Sequence, residues 1–134
     1  MQKTKINEVE VASKSVVMNT ARRFTEALAE TPQFIAFEEA YQAFRQDEEA
    51  QRAYKALQQK QESLKMMMML NAVDEEERQE LRKLQEQFYQ QESVQKYLAA
   101  QESLISVCQE IGDILSDATG LDFGSACRKG GCCG

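Results

Sequence analysis

The stretch from Asp47 to Leu98 constrains the fold most, because its pattern predicts two long helices joined by a tight turn at Asn71 to Asp74. Apolar residues recur at helical spacing along both arms. On the outgoing arm these residues are Ala50, Tyr54, Leu57, Leu64, Met67 and Met68, and on the returning arm Leu81, Leu84 and Phe88. Asp47, and Asp74 paired with Glu77, are predicted to cap the two arms. An outgoing arm of about 35 Å is too thin to hold a core alone, so other segments must pack on it.

Three further helices are predicted around this hairpin. The first runs from Asn7 to Ala29 with an apolar face that we expect to pack, and the second opens with Thr31 as N-cap and Pro32 in its first turn. Four aromatic residues of the second helix are expected to anchor the base of the hairpin or a subunit contact: Phe34, Phe37, Tyr41 and Phe44.

The last helix is predicted to start at an N-cap Ser93 and to end near Gly120, which favours a left-handed C-cap. Its apolar stripe is near-heptad in spacing: Val94, Leu98, Ile105, Cys108, Ile111 and Leu115. A cysteine inside such a stripe is expected to be a small buried hydrophobic residue.

The fold class is therefore all-α, a long antiparallel helical hairpin with packing helices and a flexible tail rich in cysteine and glycine. With a single proline and six glycines, the sequence has few residues that break helices or form turns. No run rich in valine, isoleucine and threonine predicts a strand. We expect one helical domain over residues 1–119 and a cysteine-rich tail over residues 120–134. Hydrophobic residues at 43% and charged residues at 28% are typical of a soluble globular chain.

Composition also disfavours several functions. A net charge of −6 counts against direct binding of nucleic acid, and no apolar run is long enough to span a bilayer or to form the core of a signal peptide, so we expect a cytoplasmic protein. The absence of histidine removes Ser-His and Cys-His catalytic pairs. The acidic runs Glu38-Glu39 and Glu75-Glu76-Glu77 lie at helix starts or on solvated faces, so we expect no enzyme activity.

Five successive apolar residues end the outgoing arm, Met66-Met67-Met68-Met69-Leu70. They spread around more than one helical turn, so some must face away from the returning arm. This pattern predicts an association surface, and self-association is favoured over a different protein partner. Met66, Met67, Met69 and Leu70 are the candidate contact residues.

Three of the four cysteines lie in the last eight residues, at Cys127, Cys132 and Cys133, and glycines are interleaved with them. So short a segment cannot bury three thiols, and in a cytosolic chain such a cluster indicates metal or redox chemistry. An iron–sulfur cluster and a redox switch are equally favoured by the spacing, with zinc and idle thiols behind. The neighbouring Arg128 and Lys129 lower thiol pKa values, which helps iron–sulfur and zinc sites alike. A fourth thiolate would come from Cys108 or from another subunit.

Several segments together resemble the bacterial YlbF/YmcA family over nearly the whole chain. Besides the N-terminal helix and the cysteine-rich end, they are Thr31 to Ala40 (TPQFIAFEEA), Asp47 to Gln51 (DEEAQ) and Val94 to Glu102 (VQKYLAAQE). The tail departs from the family pattern, because Cys132 and Cys133 are adjacent where glycine-separated cysteines are expected.

The resemblance implies a small, oligomer-forming, all-helical regulator without catalytic activity. By the same resemblance, YmcA-like and YaaT-like proteins are its partners in a complex that carries [4Fe-4S] clusters and modulates RNase Y in mRNA processing, affecting competence, sporulation and biofilm formation. Cys127, Cys132 and Cys133 match the cysteine-rich end and are the ligand candidates, with zinc as the alternative metal, whereas Cys108 matches no family ligand. The rival hypothesis is a thiol redox or metal-binding protein that acts through its tail alone, or a purely structural helical oligomer.

Overall fold

The computed structural model describes residues 13–124 and confirms the all-α class, since this range is helical without a strand. It contains five helices: α1 (Lys14–Ala29), α2 (Pro32–Gln46), α3 (Glu48–Met69), α4 (Glu75–Tyr89) and α5 (Glu92–Thr119). The predicted hairpin is formed by α3 and α4. The N-terminal positions Asn7 and Glu10 and the tail cysteines lie outside the described residues, so the predictions made for them stay predictions.

The helices pack as two pairs. The hairpin arms α3 and α4 pack on each other, and α2 packs on α5, while contacts between α2 and α3 and between α4 and α5 are few. The two pairs therefore join where the chain passes from α2 into α3 and from α4 into α5. This arrangement leaves the α3–α4 turn at an end of the molecule remote from α2 and α5.

Local capping sets most of the helix boundaries as predicted. The Thr31 hydroxyl and the Asp47 carboxylate accept hydrogen bonds from the Phe34 and Ala50 amides, at 3.3 and 3.1 Å. Asp74 accepts from the Glu77 amide at 2.9 Å. At the other ends, Asn71 turns the hairpin with φ 52° and Gly120 ends α5 with φ 74°, a conformation that asparagine and glycine tolerate best.

The core is thin and lies at the junction of the pairs. Phe44 of α2 stacks on Tyr97 of α5 at 5.4 Å between ring centroids, and meets Tyr54 of α3 and Phe88 of α4 edge-on at 6.2 Å. Phe44 thus anchors the base of the hairpin, whereas Phe37 and Tyr41 contact Tyr97 of α5. The buried apolar residues of the described chain are Phe44, Ala50, Leu57, Leu64 and Val94.

Ser93 is not the N-cap of α5, contrary to prediction. The helix begins at Glu92 after Gln91, which makes no side-chain cap. The Ser93 hydroxyl instead donates to Asp47 Oδ2 at 2.7 Å, across 46 positions of sequence. A serine at a helix start can cap locally or bond elsewhere, and here its hydroxyl donates to the carboxylate of Asp47, the N-cap residue of α3.

The expected burial of three elements is also wrong. No residue of α1 is buried, Met68 is exposed, and Leu98, Ile105 and Cys108 of α5 are exposed as well. The physical reason at Cys108 is coverage within the described residues: α2 has 15 residues against 28 in α5, so it spans about 22 of about 42 Å and does not extend along the C-terminal part of α5.

The Asp47–Ser93 hydrogen bond is expected to make the stability of the fold depend on pH. The Ser93 hydroxyl and then the Ala50 amide lower the pKa of Asp47 below its ordinary value. A depressed pKa in the folded state contributes stability that is present above the unfolded pKa, near 4, and is lost as pH falls through the folded value. Asp47→Asn, which keeps a capping oxygen, should therefore be less stable than wild type at pH 7 and approach wild-type stability near pH 3.

Urea unfolding of both proteins at the two pH values measures the effect. Ser93→Ala serves as the control, because it removes the largest cause of the lowered pKa and should reproduce part of the pH dependence. A difference between Asp47→Asn and wild type that stays constant from pH 7 to pH 3 would contradict the assignment.

Candidate interaction site at the hairpin tip

The tip of the hairpin presents a cluster of exposed apolar side chains, as the sequence predicted. Met69 and Leu70 are 83% and 77% exposed, and Met66 and Met68 follow at 68% and 67%. Met67 is only half-buried, while the preceding core residue of the stripe, Leu64, is buried. We call Met66, Met68, Met69 and Leu70 the tip cluster. Flexible, polarisable methionine side chains adapt to a partner surface, which suits a protein contact.

A shallow apolar groove of about 280 Å³ runs between α3 and α4 directly beside the tip cluster. Its walls are mainly apolar carbons, with Lys65 and Arg78 among the charged residues at its sides. Neither cation makes an ion pair with another residue of the described range. The groove is lined by Gln61, Leu64, Lys65, Met68, Val73, Arg78 and Leu81.

The two arms behind the tip are held in register by a charged clamp. Lys60 of α3 donates hydrogen bonds to the carboxylates of Glu77 and Glu80 on α4, and its side chain is only 15% exposed. The bond to Glu77, followed by that to Glu80, raises the pKa of Lys60. Because the pKa of Lys60 in the folded protein lies above the ordinary value of 10.5, its bonds to Glu77 and Glu80 stabilise the fold at neutral pH. This stabilisation is lost only in strong alkali.

Sequence reasoning missed both the clamp and the groove cations. Lys60 lies between the core residues Leu57 and Leu64 on the same arm, so its place beside the hairpin seam was visible in the spacing. The spacing alone does not predict which residues bind Lys60, because Glu77 was expected to complete a capping box. Its carboxylate turns instead to Lys60.

The described residues do not bring together a metal site. Within 13–124, no group of three or more cysteine, aspartate or glutamate side chains is placed to hold a metal ion, and the sequence has no histidine. Cys108 is the thiol of this range, and it is free and exposed on α5. The predicted ligands Cys127, Cys132 and Cys133 lie outside the described residues.

A comparison with known protein families establishes the family of this chain. The family model described as "Control of competence regulator ComK, YlbF/YmcA" matches residues 17–119. The chain belongs to the YlbF/YmcA family. Searches of curated proteins and of solved structures found no significant match.

Family membership supports a regulatory role, because the YlbF/YmcA family is linked to control of the competence regulator ComK. The match extends over most of α1 and all of α2 to α5, so it includes the tip cluster and the groove beside it. It ends at residue 119, before the tail cysteines. In the part of the chain that the structure describes, no helix is both long and apolar enough to cross a membrane.

Proposed function

We propose that this YlbF/YmcA-family chain is a non-catalytic, cytoplasmic regulatory adaptor that assembles with YmcA-like and YaaT-like proteins and modulates RNase Y-dependent mRNA processing and turnover. The observation that carries the proposal is the tip cluster: a chain of a regulatory family exposes four large apolar side chains at one end of a thin helical scaffold. Exposed apolar patches of this kind mark protein contacts.

The geometry suits an adaptor for a second reason. The tip lies at the end of a hairpin whose arms are fixed by the buried residues Leu57 and Leu64 and by the Lys60 clamp. A rigid support lowers the conformational entropy that a partner must restrict on binding. We therefore assign the tip cluster, with the half-buried Met67 beside it, to the partner proteins of the complex.

We further propose that the tail thiols Cys127, Cys132 and Cys133 ligate an iron–sulfur cluster, of the [4Fe-4S] type, shared within that complex. The donor set fits in kind, since thiolates are the ligands that such clusters require, and it is one short of four. The fourth thiolate comes from Cys108, which is exposed, or from a partner subunit. A bound cluster would join the subunits through bonds from their thiolates to its iron atoms.

Substitution at the tip tests the adaptor proposal. Met66→Glu combined with Met69→Glu places two charges in the tip cluster, so we expect at least a tenfold loss of co-purification with YmcA-like, YaaT-like and RNase Y proteins. In a strain lacking the gene, the variant should also fail to restore the half-lives of RNase Y-dependent transcripts.

The matched control is Gln58→Glu combined with Gln59→Glu, which adds the same charges to exposed positions of the same helix away from the tip. It should bind partners and restore transcript half-lives as wild type does. Full partner binding by the Met66/Met69 variant would reject the tip as the docking surface. Light scattering of that variant should give the wild-type mass; a smaller mass would place self-association at the tip.

A further inference from the structure

One side of the hairpin seam is closed by charged residues of this chain, and the other side is open. On the closed side, Lys60 of α3 binds Glu77 and Glu80 of α4. Gln61 and Arg78 each follow a residue of this clamp by one position, so they lie about 100° further around their helices, and both line the groove beside the tip. The groove therefore lies on the side of the seam that the clamp leaves open.

The floor of the groove is apolar and large enough to receive side chains of a second molecule. Leu64 is buried and Leu81 is half-buried, so the groove continues outward from the apolar seam of the hairpin. Its volume of about 280 Å³ exceeds the roughly 150 Å³ of a cavity that binds benzene, so one or two apolar side chains fit. Met68 both lines the groove and belongs to the tip cluster, so a molecule bound at the tip also reaches the groove.

The charged residues that line the groove are both positive. Lys65 lies on the α3 wall and Arg78 on the α4 wall, and none of the lining residues is acidic. On the closed side of the same seam, Lys60 is bound by two carboxylates of the chain itself, whereas neither groove cation makes an ion pair within residues 13–124. Acidic groups on a bound molecule would therefore complement both walls, and such complementarity fixes the orientation of a contact.

We infer that the groove receives one or two apolar side chains from a segment of a partner protein that carries an acidic residue on each side of them, one opposite Lys65 and one opposite Arg78. A lipid surface fits this end of the molecule less well, because Asp74, Glu75 and Glu76 directly follow the turn and repel anionic headgroups. The groove is also concave, which suits side chains better than a flat layer of headgroups. This inference rests on the proposed adaptor function and adds the chemistry of the partner segment.

Cross-linking of the assembled complex tests whether the acidic residues lie where the inference places them. A zero-length reagent that joins amines to carboxylates should link Lys65 to an aspartate or glutamate of a YmcA-like, YaaT-like or RNase Y protein. The Arg78→Lys variant supplies an amine on the opposite wall, and its link should reach a second acidic residue of the same partner segment, with an apolar residue between the two. Absence of both links in a complex that still assembles would overturn the inference.

Charge reversal measures how much the two cations contribute to binding. Lys65→Glu combined with Arg78→Glu should raise the dissociation constant of the partner complex at least tenfold and weaken its dependence on salt. Both side chains are exposed, so helicity by circular dichroism should stay that of wild type. The matched control is Lys55→Glu combined with Lys83→Glu, which makes the same change in charge at exposed positions of α3 and α4 outside the groove and should bind as wild type does.

The possible outcomes separate this inference from the adaptor proposal. Equal binding by the groove variant and its control, with loss only in the Met66/Met69 variant, would overturn the groove assignment and leave the tip cluster as the docking surface. Loss in the groove variant with full binding by the Met66/Met69 variant would support the groove and reject the tip cluster. Equal losses in the groove variant and its control, or binding of wild type to phosphatidylglycerol vesicles that the groove variant abolishes, would overturn the inference. A wild-type chain that binds none of these proteins would reject both proposals.

Discussion

Phe44→Ala is expected to lower the free energy of unfolding by about 3–5 kcal/mol, the usual cost of removing a phenylalanine from a core. Phe44 is 9% exposed, and its ring contacts one aromatic ring in each of the other three helices of the core, Tyr54, Phe88 and Tyr97. Its removal would leave a cavity where the two helix pairs join. No second cluster in the described residues could hold the pairs together instead, since the other buried residues line the hairpin or this same junction.

Urea unfolding at one fixed protein concentration measures the loss, because self-association makes apparent stability depend on concentration. Ile35→Ala is the matched control: it lies on the same helix, is 45% exposed and should cost less than about 1 kcal/mol. Phe44→Leu, which keeps most of the volume, should fall between the two. Equal losses for Phe44→Ala and Ile35→Ala would show that the junction does not depend on this ring.

The parts of the fold that the sequence predicted are those decided within a few residues. Thr31, Asp47 and Asp74 cap their helices because each side-chain oxygen needs only the amide three positions ahead. Gly120 ends α5 through its own backbone freedom. The exposed tip was predictable for the same reason, since five successive apolar residues cannot share one face of a helix.

The errors concern contacts between helices. The stripe of α5 was phased on Leu98 and Ile105, whereas the helix turns Tyr97 towards Phe44, and spacing alone could not choose between these two faces. The burial of Cys108 depended on a covering helix, and which part of α5 lies under α2 is set by contacts between the helices and not by local sequence. Ser93 gave a local capping pattern, but a carboxylate 46 positions away took its hydroxyl.

Substitution of the tail cysteines is expected to have the largest effect on the iron and sulfide content of the complex. Replacing Cys127, Cys132 and Cys133 together by serine should remove essentially all iron and acid-labile sulfide from anaerobically purified complex, because a serine hydroxyl is not the thiolate that iron–sulfur clusters require. Helicity should not change, since α5 ends at Thr119, before the first of these residues. The visible spectrum with iron and sulfide counts measures the cluster content, and circular dichroism measures the helicity. Both are recorded for the chain alone and for the chain co-expressed with its partners.

Cys108→Ser is the informative companion, since it removes the one thiol of the described range. If Cys108 completes the cluster, this variant should lose iron in the isolated chain; if a partner subunit does, iron should be retained in the complex and absent from the isolated wild type. Full iron content in the triple serine variant would overturn the ligand assignment. Bound zinc without iron, or disulfides that form reversibly under mild oxidation in wild type, would favour a thiol-based redox or metal-binding protein, because either chemistry needs the tail thiols and neither needs a partner subunit.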